Sequence, residues 1–210
     1  MLKVKLGLTR RKKLPAFYIL GKAYLPHKAL KLLWTSRWLK VIEYNDEYTI
    51  LEGEGNTLKL LNQYTSFLIG EWDVWKKYYI PHFPLHGKTV LDIGAGCGET
   101  AWFWFLHGAS RVIAVEPNVK AVECLKENVE RNSWNVQIIA EPFSLEHLKL
   151  NYDFMKMDGE GCEELLLSML RIDKPCVVEV HNNKFLNEFE RRGYRKIHSM
   201  SKNIHLVTNI

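Results

Sequence analysis

No acidic residue occurs in positions 1–42 of the 210-residue chain, although eleven Lys or Arg do. The rest holds eighteen basic and twenty-four acidic residues, so the formal charge of +5 is +11 from the front and −6 from the remainder. Cysteine is also scarce. Cys97, Cys124, Cys162 and Cys176 form no C-x-x-C pair and lack the density of a disulfide-stapled secreted scaffold, which points to a reduced, intracellular protein. Long apolar runs are missing as well: the apolar part of the N-terminus, Leu14 to Leu20, is short and broken by Lys22, and no small-residue cleavage pattern follows. No window reaches the roughly 18 apolar residues of a membrane span. A cytoplasmic protein is expected. Repeats, low-complexity tracts and long linkers are absent too.

With 47% hydrophobic residues, the chain has material for a substantial core. Its organisation changes near residues 82 to 88, which predicts an N-terminal extension over 1–82 and a main domain over 83–210. In the extension, the spacing from Pro26 to Leu39 predicts an amphipathic helix. Two β-prone runs around Asn45-Asp46 predict a hairpin, NTLKLLN a further strand, and GEWDVWKKYYIPHF a helix ended by prolines. The basic residues of the front, interleaved with Phe17, Tyr18, Tyr24, Trp34 and Trp38, suit either a solvated helix face or contact with an RNA backbone and bases.

From Lys88 onward, apolar strand-like runs alternate with helical patterns: TVLDIGA, RVIAVEP, NVQIIAEP, YDFMKMD and PCVVEVHN carry helices between them. The final pair, YRKIHSMS and NIHLVTN, leaves no room for a crossover helix and must form an antiparallel hairpin. The expected fold is therefore α/β, a Rossmann-like seven-stranded mixed sheet with a basic α+β extension.

In such a sheet, ligands bind beyond the carboxyl ends of the strands. Gly94, Gly96 and Gly98 form G-x-G-x-G directly after the first of these strands, where glycine lets the backbone turn tightly and approach a ligand. Glu116 ends the second strand, where a carboxylate can accept both hydroxyls of a ribose. NAD and S-adenosylmethionine both carry that ribose. Glu99, in the first helical turn, suits a cationic sulfonium better than a diphosphate and favours S-adenosylmethionine.

VLDIGAGCGET, VIAVEPN and the acidic end of the fourth strand resemble the class I S-adenosylmethionine-dependent methyltransferases. GEWDVWKKY, ENVERN, KMDGEGCE and VVEVHN add a narrower resemblance to the FkbM-type family, over about residues 70 to 195. The resemblance implies that Asp92, Gly94, Ala95, Gly96 and Gly98 shape the methionine side of the cofactor pocket. It also implies that Glu116 holds the ribose, that Pro117 and Asn118 lie beside the adenine, and that Glu141 reaches the adenine edge; a solvated turn acid is the competing account of Glu141.

Because the sulfonium methyl is already activated, the protein must align the acceptor, exclude water and, for a hydroxyl acceptor, remove a proton. Asp158 and Glu160 end the fourth strand and are candidate bases, although DGEG also suits a tight turn opening a helix. His181, ending the fifth strand, is the alternative base. A metal set of Asp158, Glu179 and Asn182 is disfavoured because Glu179 and Asn182 fall on opposite strand faces, so no metal is expected. The [DNS]-P-P-[YF] block of amino-group enzymes is absent, and Cys176 lies at the wrong end of the sheet for a cytosine nucleophile. Three readings follow: O-methylation of a small-molecule or glycan-like acceptor, methylation of an RNA such as tRNA held by residues 1–42, and a non-catalytic binding module.

Overall fold

The computed structural model describes residues 39–80, 83–159, 161–169 and 172–210, together with the backbone of three strands nearer the N-terminus. Those strands, β1 (Val4–Leu8), β2 (Pro15–Ile19) and β3 (Lys22–Tyr24), form an antiparallel sheet in the order β1-β2-β3. The sequence reading expected no strands there. The helix expected from Pro26 and the candidate base Glu160 lie outside the described residues.

A second antiparallel sheet comprises β4 (Lys40–Tyr44), β5 (Tyr48–Gly53) and β6 (Asn56–Leu61). The Asn45 carboxamide makes the first turn by accepting from the N–H groups of Glu47 and Tyr48, each at 2.9 Å. The second turn places Glu54 and Gly55 at φ 47° and 74°, as a two-residue hairpin loop requires. Helix α1 (Asn62–Tyr78) follows without a break, beginning eight residues earlier than the GEWDVW pattern suggested.

The main sheet contains β7 (Thr89–Ile93), β8 (Arg111–Val115), β9 (Val136–Ile139), β10 (Phe154–Met157), β11 (Cys176–Val180), β12 (Arg195–Ser199) and β13 (His205–Thr208). Its order is β12-β13-β11-β10-β7-β8-β9, with β13 antiparallel to both neighbours and every other pairing parallel. Helices α2 (Glu99–Leu106), α3 (Val119–Asn132), α4 (Cys162–Leu167) and α5 (Asn183–Arg191) connect the strands. A 3-10 turn at Leu145–Lys149, not expected from the sequence, precedes β10.

Strand alternation divides the core between the two faces. Val90, Val112, Ala114, Phe154 and Val177 pack on one side with Trp72, Trp75, Trp102, Phe103 and Trp104 of α1 and α2. Leu91, Ile93, Val115, Met155 and Val178 pack on the other with Leu166, Leu186 and Phe189 of α4 and α5. Burying two such faces supplies the apolar driving force of the fold. Strand order reverses between β7 and β10, so the carboxyl ends of these two strands flank the crevice where such a sheet takes ligands.

Candidate active site

A cavity of about 630 Å3 opens at that crevice. Its floor is made by strand ends. The Gly94 and Ala95 N–H groups donate to the Val115 carbonyl, and the Asp158 N–H donates to the Ile93 carbonyl, stitching β7 to both neighbours just where the loops depart. A Cβ on Gly94 would stand 2.0 Å from the Asp158 carbonyl oxygen, so no other residue fits this crossing. Gly96, at φ 55°, is hemmed in by Glu99 Oε1 and the Tyr64 ring, which a Cβ would meet at 2.5 and 2.7 Å.

Glu116 is buried and lines the cavity. Its Oε2 accepts from the Gly96 N–H and its Oε1 from the Asn118 N–H, both at 2.9 Å. Each oxygen retains a lone pair, so the carboxylate braces the glycine loop and can still accept two ligand hydroxyls. Pro117 is beside it in the wall. The Asn118 side chain instead caps α3 by accepting from the Ala121 N–H at 3.1 Å.

Gly94, Glu116, Pro117, Asp158 and His181 thus line one cavity, while Ala95, Gly96 and Gly98 shape the loop behind it. Asp92 is fully buried beneath the loop, accepting from the Trp104 indole N–H at 2.9 Å and facing Lys156 Nζ at 3.3 Å. Glu141 is an exposed carboxylate facing His147 Nε2 at 2.9 Å, outside the cavity lining, although Pro142 and Phe143 contribute to the wall. Glu99 folds back to accept from the Cys97 N–H at 3.0 Å, and burial pushes its carboxyl up to about 8. It is therefore mostly neutral at pH 7, and the charge argument against a diphosphate loses its force.

Several site residues were not anticipated. Tyr64, Phe67, Glu71 and Trp75 of α1 cover the cavity. They recur at helical spacing, and the signal was a glutamate on an otherwise apolar stripe. Glu71 is raised to about 8, first by burial and then by the Glu179 and Asp158 carboxylates. Lys156, buried in the middle of β10, donates to the Gly94 carbonyl at 2.9 Å. Burial lowers its pKa, but Asp92, Asp158, Glu99 and Glu179 outweigh that and raise it, so it remains an ammonium. Cys162 opens α4, packs against the core beneath it and also lines the cavity.

His181 sits among three carboxylates. Its Nδ1 is 2.8 Å from Glu163 Oε1, and its Nε2 lies 3.4 Å from Glu179 Oε1 and 3.8 Å from Asp158 Oδ1. Glu163, then Glu179, raise the imidazole to about 10 against the cost of burial. Held as an imidazolium, it is an unsuitable base at neutral pH until one of those carboxylates turns away. Asn182 caps α5 by accepting from the Lys184 N–H at 2.7 Å, which engages its carbonyl away from the acidic cluster.

Comparisons with known proteins bear on the fold that carries this site. Residues 57–157 match the family model described as "Methyltransferase small domain". Among solved structures, M. jannaschii TYW2 in complex with AdoMet aligns at TM-score 0.51 and 19% identity, covering 80% of this chain and 87% of that one. The T. thermophilus 16S rRNA N2 G1207 methyltransferase RsmC, in complex with AdoMet and guanosine, aligns at 0.55 and 16%, covering 79% and 51%.

The fold is that of the class I methyltransferases.

S-adenosylmethionine is the cofactor of this fold, and the Glu116 carboxylate with the side-chain-free cradle at Gly94 and Gly96 fits it. The ribosomal protein L11 methyltransferase of Thermotoga maritima is 39% identical over 61 residues, 29% of this chain and 23% of that protein. The tRNA U34 carboxymethyltransferase of Pseudomonas putida is 38% identical over 85 residues, 40% of this chain and 26% of that protein. The chain thus spans about a quarter of the length of these relatives. The matching family model is the methyltransferase small domain and not an FkbM-type one, so the narrower resemblance finds no support. Among the described residues, no helix is long and apolar enough to cross a membrane.

Proposed function

We propose that the chain is an S-adenosylmethionine-dependent methyltransferase. The observation that carries this reading is Glu116, whose two oxygens hold the glycine loop while lining the switch-point cavity. When bound, the cofactor supplies an activated methyl group. The chain's own part is to accept the ribose hydroxyls at Glu116, leave room for the ligand at Gly94 and Gly96, and exclude water beneath Tyr64, Phe67 and Trp75. Asp158 and Glu179 then line the space where an acceptor proton would leave. Isothermal titration with S-adenosylmethionine and S-adenosylhomocysteine tests the reading. Wild type should bind both, and Glu116→Ala should weaken each at least about tenfold, since charged hydrogen bonds contribute roughly 1.5–3 kcal/mol. Failure of wild type to bind either would refute it.

The acceptor we favour is an oxygen of a small-molecule or glycan-like compound, because Asp158 and Glu179 line the space beside the glycine loop and can accept hydrogen bonds from hydroxyl groups. A second reading, RNA, is supported by the eleven basic residues before position 43 and by relatives and fold neighbours whose names include tRNA and rRNA. In it, the basic front tracks the backbone while only a base enters the cavity.

A further inference from the structure

The acidic end of the cavity contains an arrangement that methyl transfer alone does not require. Asp158, Glu179 and His181 each offer one donor atom, and the three atoms lie within 4.8 Å of one another. Glu179 is 6% exposed, and its Oε2 has no hydrogen-bond partner among the described residues. Its Oε1 is the atom that faces the imidazole, and a buried carboxylate in that state is costly unless a proton or a cation neutralises it.

The imidazole is oriented towards the same space. Glu163, itself buried, takes Nδ1 at 2.8 Å and accepts the His181 backbone N–H at the same distance, which fixes the ring and turns Nε2 towards Glu179 and Asp158. A carboxylate on the far nitrogen of a metal-ligating histidine is the usual supporting contact. The 3.4 and 3.8 Å separations are long for hydrogen bonds, yet close to the roughly 3.0–3.5 Å between neighbouring donors that each sit about 2.1 Å from one ion. Asp158 divides its oxygens, Oδ2 facing Lys156 at 3.7 Å and Oδ1 facing His181. The lysine therefore does not use up the oxygen that the ion would need.

We propose that Asp158, Glu179 and His181 form a binding site for one divalent first-row transition ion, with Glu163 positioning the imidazole. Two carboxylates and one imidazole select Mn2+, Fe2+ or Zn2+ over Ca2+, which takes six to eight oxygens. Three protein ligands leave open positions towards the cavity, where an acceptor oxygen would coordinate and be acidified. That last role rests on the methyltransferase reading, whereas ion binding does not.

The test is titration of the metal-free full chain with Mn2+, without cofactor, read by electron paramagnetic resonance and calorimetry, with Zn2+ and Ca2+ in parallel. About one Mn2+ per chain should bind, displaced by Zn2+ and not by Ca2+. Glu179→Gln and His181→Ala should each abolish it, and Glu163→Gln should weaken it about 10- to 100-fold. Circular dichroism establishes that each variant folds, and the conservative Glu163→Gln keeps the test open should the other two fail. Absence of Mn2+ and Zn2+ binding to wild type, or binding that folded variants leave unchanged, would overturn the proposal. Because cofactor binding is measured separately, a protein that binds S-adenosylmethionine but no metal refutes only the ion site.

Discussion

At the level of single residues, burial and neighbouring charge act together on Glu71. Its carboxyl is raised from an ordinary 4.5 to about 8 by burial, with Glu179 and Asp158 adding repulsion. Between those values the folded chain keeps a proton that the unfolded chain has lost. Stability must therefore fall as pH climbs from 4.5 to about 8, because ionising Glu71 in place is unfavourable. Glu71→Gln removes that penalty. The variant should melt higher than wild type at pH 8, by about 2–4 °C for each kcal/mol recovered, and should show no gain at pH 4. Equal midpoints at both pH values would mean that the half-buried carboxyl titrates in its ordinary range. Gly94 makes a complementary prediction: Gly94→Ala places a Cβ 2.0 Å from the Asp158 carbonyl and strains a backbone at φ 74°. Loss of S-adenosylhomocysteine binding, with a lower melting midpoint, is the expected result.

Among elements, the contact that matters most to the site is between α3 and β6. Asn128 is fully buried; its Oδ1 accepts from the Lys59 N–H at 2.7 Å, while its Nδ2 donates to the Lys59 carbonyl at 2.8 Å and the Cys97 carbonyl at 2.9 Å. One turn on, Asn132 pairs both backbone groups of Thr57 in the same way. Two asparagines at i and i+4 thus act as a surrogate strand along the outer edge of β6, closing it to other chains and anchoring the glycine loop. Asn128→Ala leaves three backbone groups unsatisfied and should cost about 2–4 kcal/mol, visible as a lower urea midpoint with unchanged slope. An unchanged midpoint would show that water replaces the amide freely.

That contact also shows what the sequence could and could not convey. Strands β7 to β11 were legible because each is an apolar-rich run bounded by turn residues, and β12 and β13 because no helix fits between them. The role of the asparagines in ENVERN was not legible, since nothing local says which polar residues of a helix will meet a strand edge. The start of α1 was obscured for a similar reason: NTLKLLNQYTS carries β-prone and helical residues without a capping side chain to mark the boundary. At the site, Glu116 could be placed because a strand end fixes it. Lys156 could not, because its ammonium is tolerated in a buried strand through Asp92 on the neighbouring strand and the carboxylates and carbonyls around it, partners that the fold alone brings together.

For the whole molecule, the unequal charge distribution separates the two acceptor readings. The first 42 residues carry +11, and residues 43–210 carry −6. An RNA drawn to the front would have its phosphates repelled by the net negative charge of the rest, so the affinity must come from counterion release at the front. If about five of the eleven basic residues reach phosphates, log K should fall against log salt with a slope of about −3.5 for a single-stranded segment. Replacing Arg10, Arg11, Lys12 and Lys13 with alanine should flatten that slope, and S-adenosylhomocysteine affinity measured alongside separates lost RNA contact from a damaged cofactor site. Mobility shifts with tRNA at four salt concentrations would measure it. A binding constant insensitive to salt, or one the four substitutions leave untouched, would remove RNA as the acceptor held by this segment and leave the carboxylate-walled cavity to a small oxygen nucleophile.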